Sequence, residues 1–585
     1  MTKAEAQGFT FIVGVTGHRD LITDNDAVLA ERIDTLLTGL SVALGPVPLA
    51  IACGMADGAD RIVACRALEL GIAVHAVLPM PKQHYLRDFS PASAKELKLL
   101  LARDGVSLHE IPLHADTIPQ ALARAGPARD RQYGLLGDYL QRRSNLMLGL
   151  WDGNVERLEG GTADVLLSYL HGQERRDEDA GISSLRLVKD APIPPAANLV
   201  AWIEVGRQSA QDPRPPGLSY LGATPDARTL VRMEEMPGAL KQRLAALRAH
   251  YEEYDRLKES GQAPPARGLL DGLPRKPPAF LQPILAHIDA EYQRADGLAV
   301  HNQKRSDRIF KIFGLMAGAM GLFFLLYAKI AALKVFLIAY LMLFASGYII
   351  FRMAKKSHWF SRHLIDRVIA ESMRVNFYMV LAGVNDRINM RRLVSLTGIE
   401  NFSGFAWLFD VMRMIQPLAT DSKAPNMKTL GLVKKGWIDD QSAYFQSKIQ
   451  SLSHSHHRLE RIKYGLLAIS IIGVVALLLF KHHLTSVALT RDLDLKTVMV
   501  FLMGLLPLWL GIWEAYQSKM AMRELLWQYR IQADHFRRAA EQTKGDVPAE
   551  KFQCVIADLG EHSLFGTYLW TIHRYHREVE PPSAG

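Results

Sequence analysis

The sequence predicts an α/β chain in two parts. A Rossmann-like parallel sheet forms the N-terminal domain, and an α-helical membrane domain carries four transmembrane helices in two repeated hairpins. Residues 9–170 alternate short apolar runs with helix-like stretches, and glycines punctuate the joins. Four later runs of 17 residues each contain no Asp, Glu, Lys, Arg or His. The segments flanking the two hairpins repeat one charge pattern. At 585 residues the chain is too long for one ordinary domain, and 49% apolar with 22% charged residues excludes a disordered chain. Three cysteines (Cys53, Cys65, Cys554) exclude a disulfide-stapled secreted scaffold, and Cys53 and Cys65 read as core thiols. The start of the chain shows no signal-peptide pattern, so the first segment is expected in the cytoplasm.

The N-terminal elements follow in order. Phe9–Thr16 is an apolar strand ending in Thr16-Gly17-His18-Arg19-Asp20, and Ala27–Leu44 is a helix closed by Gly45. Pro48–Cys53 is a second strand, ending in Gly54-Met55-Ala56-Asp57-Gly58-Ala59-Asp60, followed by a helix over Arg61–Leu70 and its closing Gly71. Ala73–Leu78 is a third strand and Leu108–Leu113 a weaker fourth. Tyr133–Asn145 reads as a helix, Leu146–Leu150 as a strand ending in Trp151-Asp152-Gly153, and Thr162–Leu170 as a helix opened by Gly160-Gly161-Thr162. Asn198–Val205 is one more strand. Ligands of such sheets bind at the carboxyl ends of the strands. Glycines there admit a close approach to an anion, and helix N-termini favour negative charge. The candidate ligand residues are therefore Thr16, Gly17, His18, Arg19, Gly54, Asp57, Gly58, Asp60, Asp152, Gly153, Gly160, Gly161 and Thr162. Arg19 or His18 suits a phosphate, Asp152 a ribose hydroxyl or base, and Thr162 a helix cap or a phosphate oxygen.

These motifs resemble the SLOG superfamily, Rossmann-like domains akin to the DNA-processing protein and the Lonely-guy phosphoribohydrolases. The resemblance covers roughly residues 9–170 and implies nucleotide binding. The hydrolases carry Pro-Gly-Gly-x-Gly-Thr-x-x-Glu; this chain has Glu159-Gly160-Gly161-Thr162-Ala163-Asp164-Val165. Val165 stands where the resemblance would place the catalytic glutamate, with Asp164 one position short. The expectation is a sensor that binds without turnover, with no catalytic residue and no cofactor beyond a nucleotide-derived ligand.

The four apolar runs are Ile312–Ala328, Val335–Phe351, Tyr464–Phe480 and Thr497–Trp513. Each is about 25 Å long as a helix, with Lys and Arg at its flanks able to snorkel outward. Lys304, Arg305, Arg308 and Lys311 precede the first run, and Arg352, Lys355, Lys356, Arg362 and Arg367 follow the second. Arg458, Arg461 and Lys463 precede the third; Lys519, Arg523 and Arg530 follow the fourth. The basic excess places both termini and the middle segment in the cytoplasm and both hairpin loops outside. The net charge of +9 is thereby mostly juxtamembrane, and no direct nucleic-acid binding is expected. The runs lack the ionisable groups of coupled transporters and voltage sensors. Gly314, Gly318 and Gly321 offer a small-residue face in the first, while Gly504, Pro507 and Gly511 allow the fourth to bend.

Arg367-x-x-Ala370-Glu371-x-x-Arg374 after the second run matches Arg530-x-x-Ala533-Asp534-x-x-Arg537 after the fourth. Arg305-x-Asp307-Arg308-Ile309 matches Arg458-x-Glu460-Arg461-Ile462, and His301 matches His454. Each unit reads as amphipathic helix, span, loop, span, amphipathic helix. The i, i+4, i+7 spacing puts the charged groups on one helix face, either solvated or in an interhelix or intersubunit ion-pair network. The paired units resemble the SLATT type, two-span effectors found beside SLOG domains in bacterial conflict systems. That combination implies a ligand-gated membrane effector.

The expected organisation is a nucleotide-binding domain over 1–208, a linker and charged helical connector over 209–297, and a first two-span unit over 298–384. A cytoplasmic connector over 385–450, a second two-span unit over 451–545 and a C-terminal tail over 546–585 complete it. Pro237–Lys258 reads as a stalk or coiled contact, Ala210–Pro216 and Gly261–Pro278 as linkers, and Asp421–Trp437 as weakly structured. Asn385–Arg392 is basic but too short to read as a nucleic-acid site. His454, His456 and His457 lack further ligands at metal-binding spacing, so no metal is expected. The expected partners are a nucleotide second messenger or ADP-ribose-like ligand, the lipid bilayer of the inner membrane and further copies of the chain. The alternatives are a membrane-tethered nucleotide hydrolase or nucleosidase, a nucleotide-regulated ion channel broadly like the TRPM channels, and a passive anchor.

Overall fold

The computed structural model describes residues 9–22, 26–114, 117–124, 126–155, 159–171, 187–189, 191–210, 215–224, 229–264, 267–356, 362–384, 403–415, 427–490, 493–520 and 522–575. The basic stretch Asn385–Arg392 lies outside them.

The N-terminal part is built on strands β1 (Phe11–Gly17), β2 (Leu49–Cys53), β3 (Ala73–Leu78), β4 (Val106–Glu110), β5 (Leu146–Trp151), β6 (Leu187–Val188), β7 (Leu199–Glu204), β8 (Gly217–Ala223) and β9 (Leu230–Met233). They form one sheet in the order β4-β3-β2-β1-β5-β7-β8-β9-β6. Strands β4 to β7 in that order run parallel. Helices α1 (Asp26–Leu44), α2 (Ala59–Glu69), α3 (Lys82–Tyr85), α4 (Pro91–Leu101), α5 (Pro127–Arg143) and α6 (Thr162–His171) connect the strands. The central strands are continuous apolar runs because helices cover both faces. Val13, Val15, Ile51 and Cys53 point to one core and Ile12, Ala52, Met147 and Trp151 to the other. Gly45 and Gly71 end α1 and α2 with positive φ, as a left-handed C-cap requires. Ser90 caps α4 by accepting from the Ser93 N–H, with Pro91 in the first turn.

Three expectations need correction here. The sheet does not end at residue 208, nor is it wholly parallel: β8 pairs antiparallel with β7, and β9 with β8. Gly217 and Gly222 interrupt the apolar pattern of β8, and β9 has only four residues. The charged helix α7 (Gly238–Glu259) is not a free stalk. It lies on α1 and buries Leu240, Leu244, Leu247 and Tyr251 in the core. The segment 546–585 is not merely a tail, because most of it forms a long amphipathic helix described below.

The helical part repeats itself. Helix α8 (Gln282–Lys329) has 48 residues, α9 (Lys334–Lys356) has 23 and α10 (Arg362–Ala382) has 21. After the short helices α11 (Leu408–Ile415) and α12 (Met427–Val433) and one π-helical turn (Lys434–Asp439), the pattern recurs. Helix α13 (Asp440–Ser486) has 47 residues, α14 (Leu495–Met520) has 26 and α15 (Met522–Gln542) has 21. A small antiparallel pair, β10 (Ala488–Thr490) and β11 (Leu493–Asp494), closes the second hairpin loop. The 27-residue helix α16 (Ala549–Tyr575) ends the described chain. It buries Phe552, Ile556, Leu559, Leu564 and Tyr568 against α10 and α15, and so bridges the two units. Of Asp421–Trp437, residues 421–426 lie outside the described residues, and Met427–Trp437 is helical, with Trp437 1% exposed and stacked on Tyr378.

Among the described residues four helices are long and apolar enough to cross a membrane: the apolar halves of α8 and α13, together with α9 and α14. Their flanks carry large exposed apolar side chains such as Leu315, Leu341, Ile472 and Leu478, which give the chain its transmembrane character. Their principal contacts form a row, α9–α8–α14–α13. The glycine face of α8 sits at its centre. A Cβ on Gly321 would lie 2.0 Å from Leu508 Cδ2, and one on Gly318 would touch the Trp509 ring at 3.6 Å, while Gly314 meets nothing. Gly504 of α14 faces Leu325 in return. Small residues thus bring α8 and α14 together where no polar group does.

The stem of α8, with α10, α15 and α16, shares one continuous apolar core with the sheet. The first copy of the repeated charge motif is a half-buried interhelix network. Arg367 pairs with Asp296 of α8 at 3.0 Å and with Glu371 at 2.9 Å, and Arg374 pairs with Glu371 at 2.7 Å and donates to the Tyr292 hydroxyl at 2.7 Å. Burial pushes the Glu371 carboxyl up, but Arg374 and Arg367 outweigh it and hold the pKa low. In the second copy Arg537, Asp534, Arg538 and Glu541 pair along α15 on an exposed surface.

Helix α11 docks under the sheet. Arg243 of α7 makes a bidentate pair with Asp410, both bonds 2.8 Å, with the side chains 4% and 1% exposed. Asn145, at the start of β5, donates to the Asp410 carbonyl at 2.8 Å and accepts from the Ile12 N–H at 2.9 Å. Arg413 donates to the Ser144 carbonyl and to the Tyr169 hydroxyl, each at 2.8 Å.

Candidate ligand-binding cleft

Strand β1 has β2 on one side and β5 on the other, so the crossovers leave it in opposite directions. A doubly wound sheet opens its crevice at that switch point, above the carboxyl ends of the strands. The loops at that end carry every candidate residue.

The β1 loop is held from both sides. Thr16 and Gly17 end the strand. A Cβ on Gly17 would lie 2.4 Å from the Ala59 Cβ and 2.8 Å from the Leu150 carbonyl oxygen, so only glycine lets β1, β5 and α2 close here. His18 donates its N–H to the Leu150 carbonyl at 3.2 Å, and its own carbonyl accepts from the Ala59 N–H at 3.1 Å. The His18 Nε2 accepts from the Asp152 N–H at 3.2 Å and lies 3.0 Å from the Asp152 carboxylate. Gly153, with φ +81°, turns the chain after Asp152, whose carboxylate also accepts from the Asn154 N–H at 3.0 Å. Arg207, beyond β7, donates to Asp20 at 3.1 Å and stands 3.9 Å from Asp152. Although burial pushes the Asp20 carboxyl up, Ser209 and Arg207 bring it below the usual carboxylate range.

Arg19 supplies the positive charge at the mouth. Its exposed guanidinium lies over the Tyr133 ring, 5.5 Å from the centroid, and 6.0 Å from that of Phe89. It donates to the Tyr133 hydroxyl at 3.2 Å, which donates to Asp88 at 2.5 Å. Burial pushes the Tyr133 phenol up to about 12, so it stays protonated as a donor.

The β2 loop is shaped by its carboxylates. Met55 and Gly58 take positive φ, 58° and 75°. A Cβ on Gly58 would lie 2.5 Å from the Arg19 carbonyl oxygen and 2.7 Å from that of His18. Asp57 is bound by Arg61 at 2.7 Å and by the Ser93 hydroxyl at 2.6 Å. The Asp60 carboxylate accepts from the Ala56 N–H at 3.1 Å, and a Cβ on Gly54 would lie 3.2 Å from it. Asp57 and Asp60 therefore brace the loop from within rather than reaching out of it.

Burial pushes the Asp60 carboxyl up to about 6, against the Ala56 and Gly54 N–H groups, Arg19 and Arg61. A carboxyl raised on folding holds its proton better when folded. Folding stability therefore falls as pH rises from about 4 to about 6, by about 3 kcal/mol across that window. Asp60→Asn keeps an acceptor and removes the charge. It is expected to flatten this dependence and raise the melting temperature at pH 7.5, read by thermal melts of the solubilised chain between pH 4.5 and 7.5.

The fourth loop enters α6. Gly160, φ +73°, lies against the backbone of Tyr133, where a Cβ would be 2.8 Å from its carbonyl carbon. Its N–H donates to the Asp164 carboxylate at 3.1 Å, and the Gly161 carbonyl accepts the Val165 N–H at 3.0 Å. Thr162 is the first helical residue. Val165 is 2% exposed and packs on Gly137 of α5, so that position is core and presents no acid. Asp164 is 8% exposed and committed to the glycine turn.

His18 thus joins the β1, β2 and β5 loops, and Tyr133 joins Arg19 to the Gly160 turn. Sequence reasoning missed Tyr133, Phe89, Arg61 and Asp88. Tyr133 lies within a helix and the others within short loops and helix starts, and no motif marks any of them. The arrangement offers one exposed guanidinium, glycine turns at two helix starts and a carboxylate beside a histidine. It suits an anionic group next to a hydroxyl-bearing one. Among the described residues no group of His, Cys, Asp and Glu is placed to hold a metal ion. Comparison with family models, with curated proteins and with solved structures returned no match.

Proposed function

We propose that the protein is a nucleotide-sensing membrane effector. The sheet cleft binds a nucleotide-derived signal, such as a nucleotide second messenger or an ADP-ribose-like molecule, and the spans respond by opening a pore or disrupting the membrane, as in bacterial anti-phage defence. One observation carries the reading: a cleft suited to phosphate and ribose at the switch point belongs to the same packed body as the stems of α8 and α13. Arg19 and the helix starts behind Gly58 and Gly161 would hold phosphate, and Asp152 a ribose hydroxyl or base. The buried Val165 favours binding without turnover over a membrane-tethered hydrolase or nucleosidase.

The row of spans encloses nothing by itself, so a pore requires several copies of the chain. The protein resides in the inner membrane with both termini in the cytoplasm. Reporter tags in the loops at 330–333 or 487–490 are expected outside, and a cytoplasmic signal from either would break the topology. The sensor reading is tested by calorimetry on the full chain with linear and cyclic oligonucleotides and ADP-ribose derivatives, with product analysis. A tight, unconsumed ligand supports a sensor. A consumed ligand favours the hydrolase, and a selective ion current favours a nucleotide-regulated channel.

A further inference from the structure

A cavity of about 90 Å³ lies between the two repeat units, next to the inner ends of the spans. Its walls are aromatic: Trp437 on the π-helical turn, Tyr444 and Phe445 on α13, Tyr529 and Phe536 on α15, and Trp570 on α16. A π turn inside a helical run is a frequent mark of a functional site. The lining also holds Gln532 Oε1 and Ser563 Oγ, which have no hydrogen-bond partner in the protein, on residues 6% and 9% exposed. Gly566 makes room for the Gln532 carboxamide, since a Cβ there would lie 2.6 Å from its Nε2. The network of Arg367, Glu371 and Arg374 forms the α10 side, and with Asp296 on Arg367 its two positive and two negative charges balance.

We propose that this cavity binds a small planar heterocycle, uncharged and bearing a hydrogen-bond donor, of the size of a pyrimidine base or nicotinamide. Aromatic walls stack a π-face. The bare Gln532 carbonyl accepts a ring or amide N–H, and the Ser563 hydroxyl serves an adjacent polar atom. The balanced network supplies no net negative charge for a quaternary ammonium ion, and the two bare acceptors call for a hydrogen-bond donor. At about 90 Å³, smaller than an engineered cavity of about 150 Å³ that takes benzene, the volume limits the occupant to one small ring whose edge stays at the open mouth. A whole nucleotide does not fit, which separates this site from the sheet cleft. Helices of both units line the cavity, so an occupant stabilises whichever packing of the units it fits.

The test is binding of uracil and of nicotinamide to the full chain in nanodiscs, by calorimetry and tryptophan fluorescence, with choline as the cationic control. Saturable binding of either ring is expected, weakened about tenfold or more by Gln532→Leu and by Ser563→Leu. Ser563→Leu carries the test if Gln532→Leu does not fold. Three outcomes overturn the proposal: no saturable binding of either ring up to about 10 mM, meaning a cavity that holds water only; unchanged binding in the folded variants; or preferential binding of choline.

Discussion

Asp410→Ala is expected to cost about 3–5 kcal/mol and to release helix α11 from beneath the sheet. The Arg243 guanidinium is 4% exposed and makes two 2.8 Å bonds to that carboxylate. Removing the acid leaves a buried cation with one remaining partner, the Ala197 carbonyl at 2.9 Å. A buried charge without its counter-charge is among the most costly states a core can hold. Replacing both partners is gentler, because Arg243→Met with Asp410→Leu removes the charge altogether, so the double variant should recover most of the loss. Thermal melts measure the stability, and protease accessibility of residues 403–415 measures the undocking. The functional consequence follows from position. Helix α11 lies in the chain between the two span units, and Asn145 ties it to the start of β5, whose far end carries Asp152. Ligand binding should survive undocking, while the membrane response should be lost.

Gly58→Val is expected to abolish ligand binding, by about a hundredfold or more, without affecting membrane insertion. The residue sits at φ +75°, where a β-branched side chain is strained by about 1–3 kcal/mol. Its Cβ would also stand 2.5 Å from the Arg19 carbonyl, so the loop bearing His18 and Arg19 must move. Gly71 is the control. It has nearly the same φ, +73°, but no atom within 4 Å of a Cβ. Gly71→Ala should therefore cost only the backbone term, about 1 kcal/mol, and leave binding unchanged. Calorimetry on both variants separates distortion of the cleft from general destabilisation.

The glycine-rich strand ends were legible in the sequence because close approach of backbones leaves a local mark. Gly17, Gly58 and Gly160 each face atoms that exclude a Cβ. The four spans were legible for a similar reason, since a bilayer demands a continuous apolar run. The repeat was readable down to the charge motif, but the different fates of its copies were not. Arg374 reaches Tyr292 across 82 residues, whereas Arg537 finds only Asp534 and Glu541 on its own helix. Contacts of that range have no local signature. The pairing of Arg243 with Asp410 across 167 residues is the clearest case. Strand β8 escaped because Gly217 and Gly222 dilute its pattern, and β9 because four residues with Arg232 among them are too short a run. Helix α16 was within reach, since Phe552, Ile556 and Leu559 already follow a helical period.

The most direct measurement is solute efflux from liposomes that contain the purified full chain, titrated with the nucleotide panel and compared with Gly58→Val. Efflux that rises with one unconsumed ligand, saturates at the concentration where calorimetry shows binding, and vanishes in Gly58→Val is the expected result. Efflux that ignores every ligand, or that persists unchanged in Gly58→Val, would contradict a sensor in the sheet cleft acting on the spans.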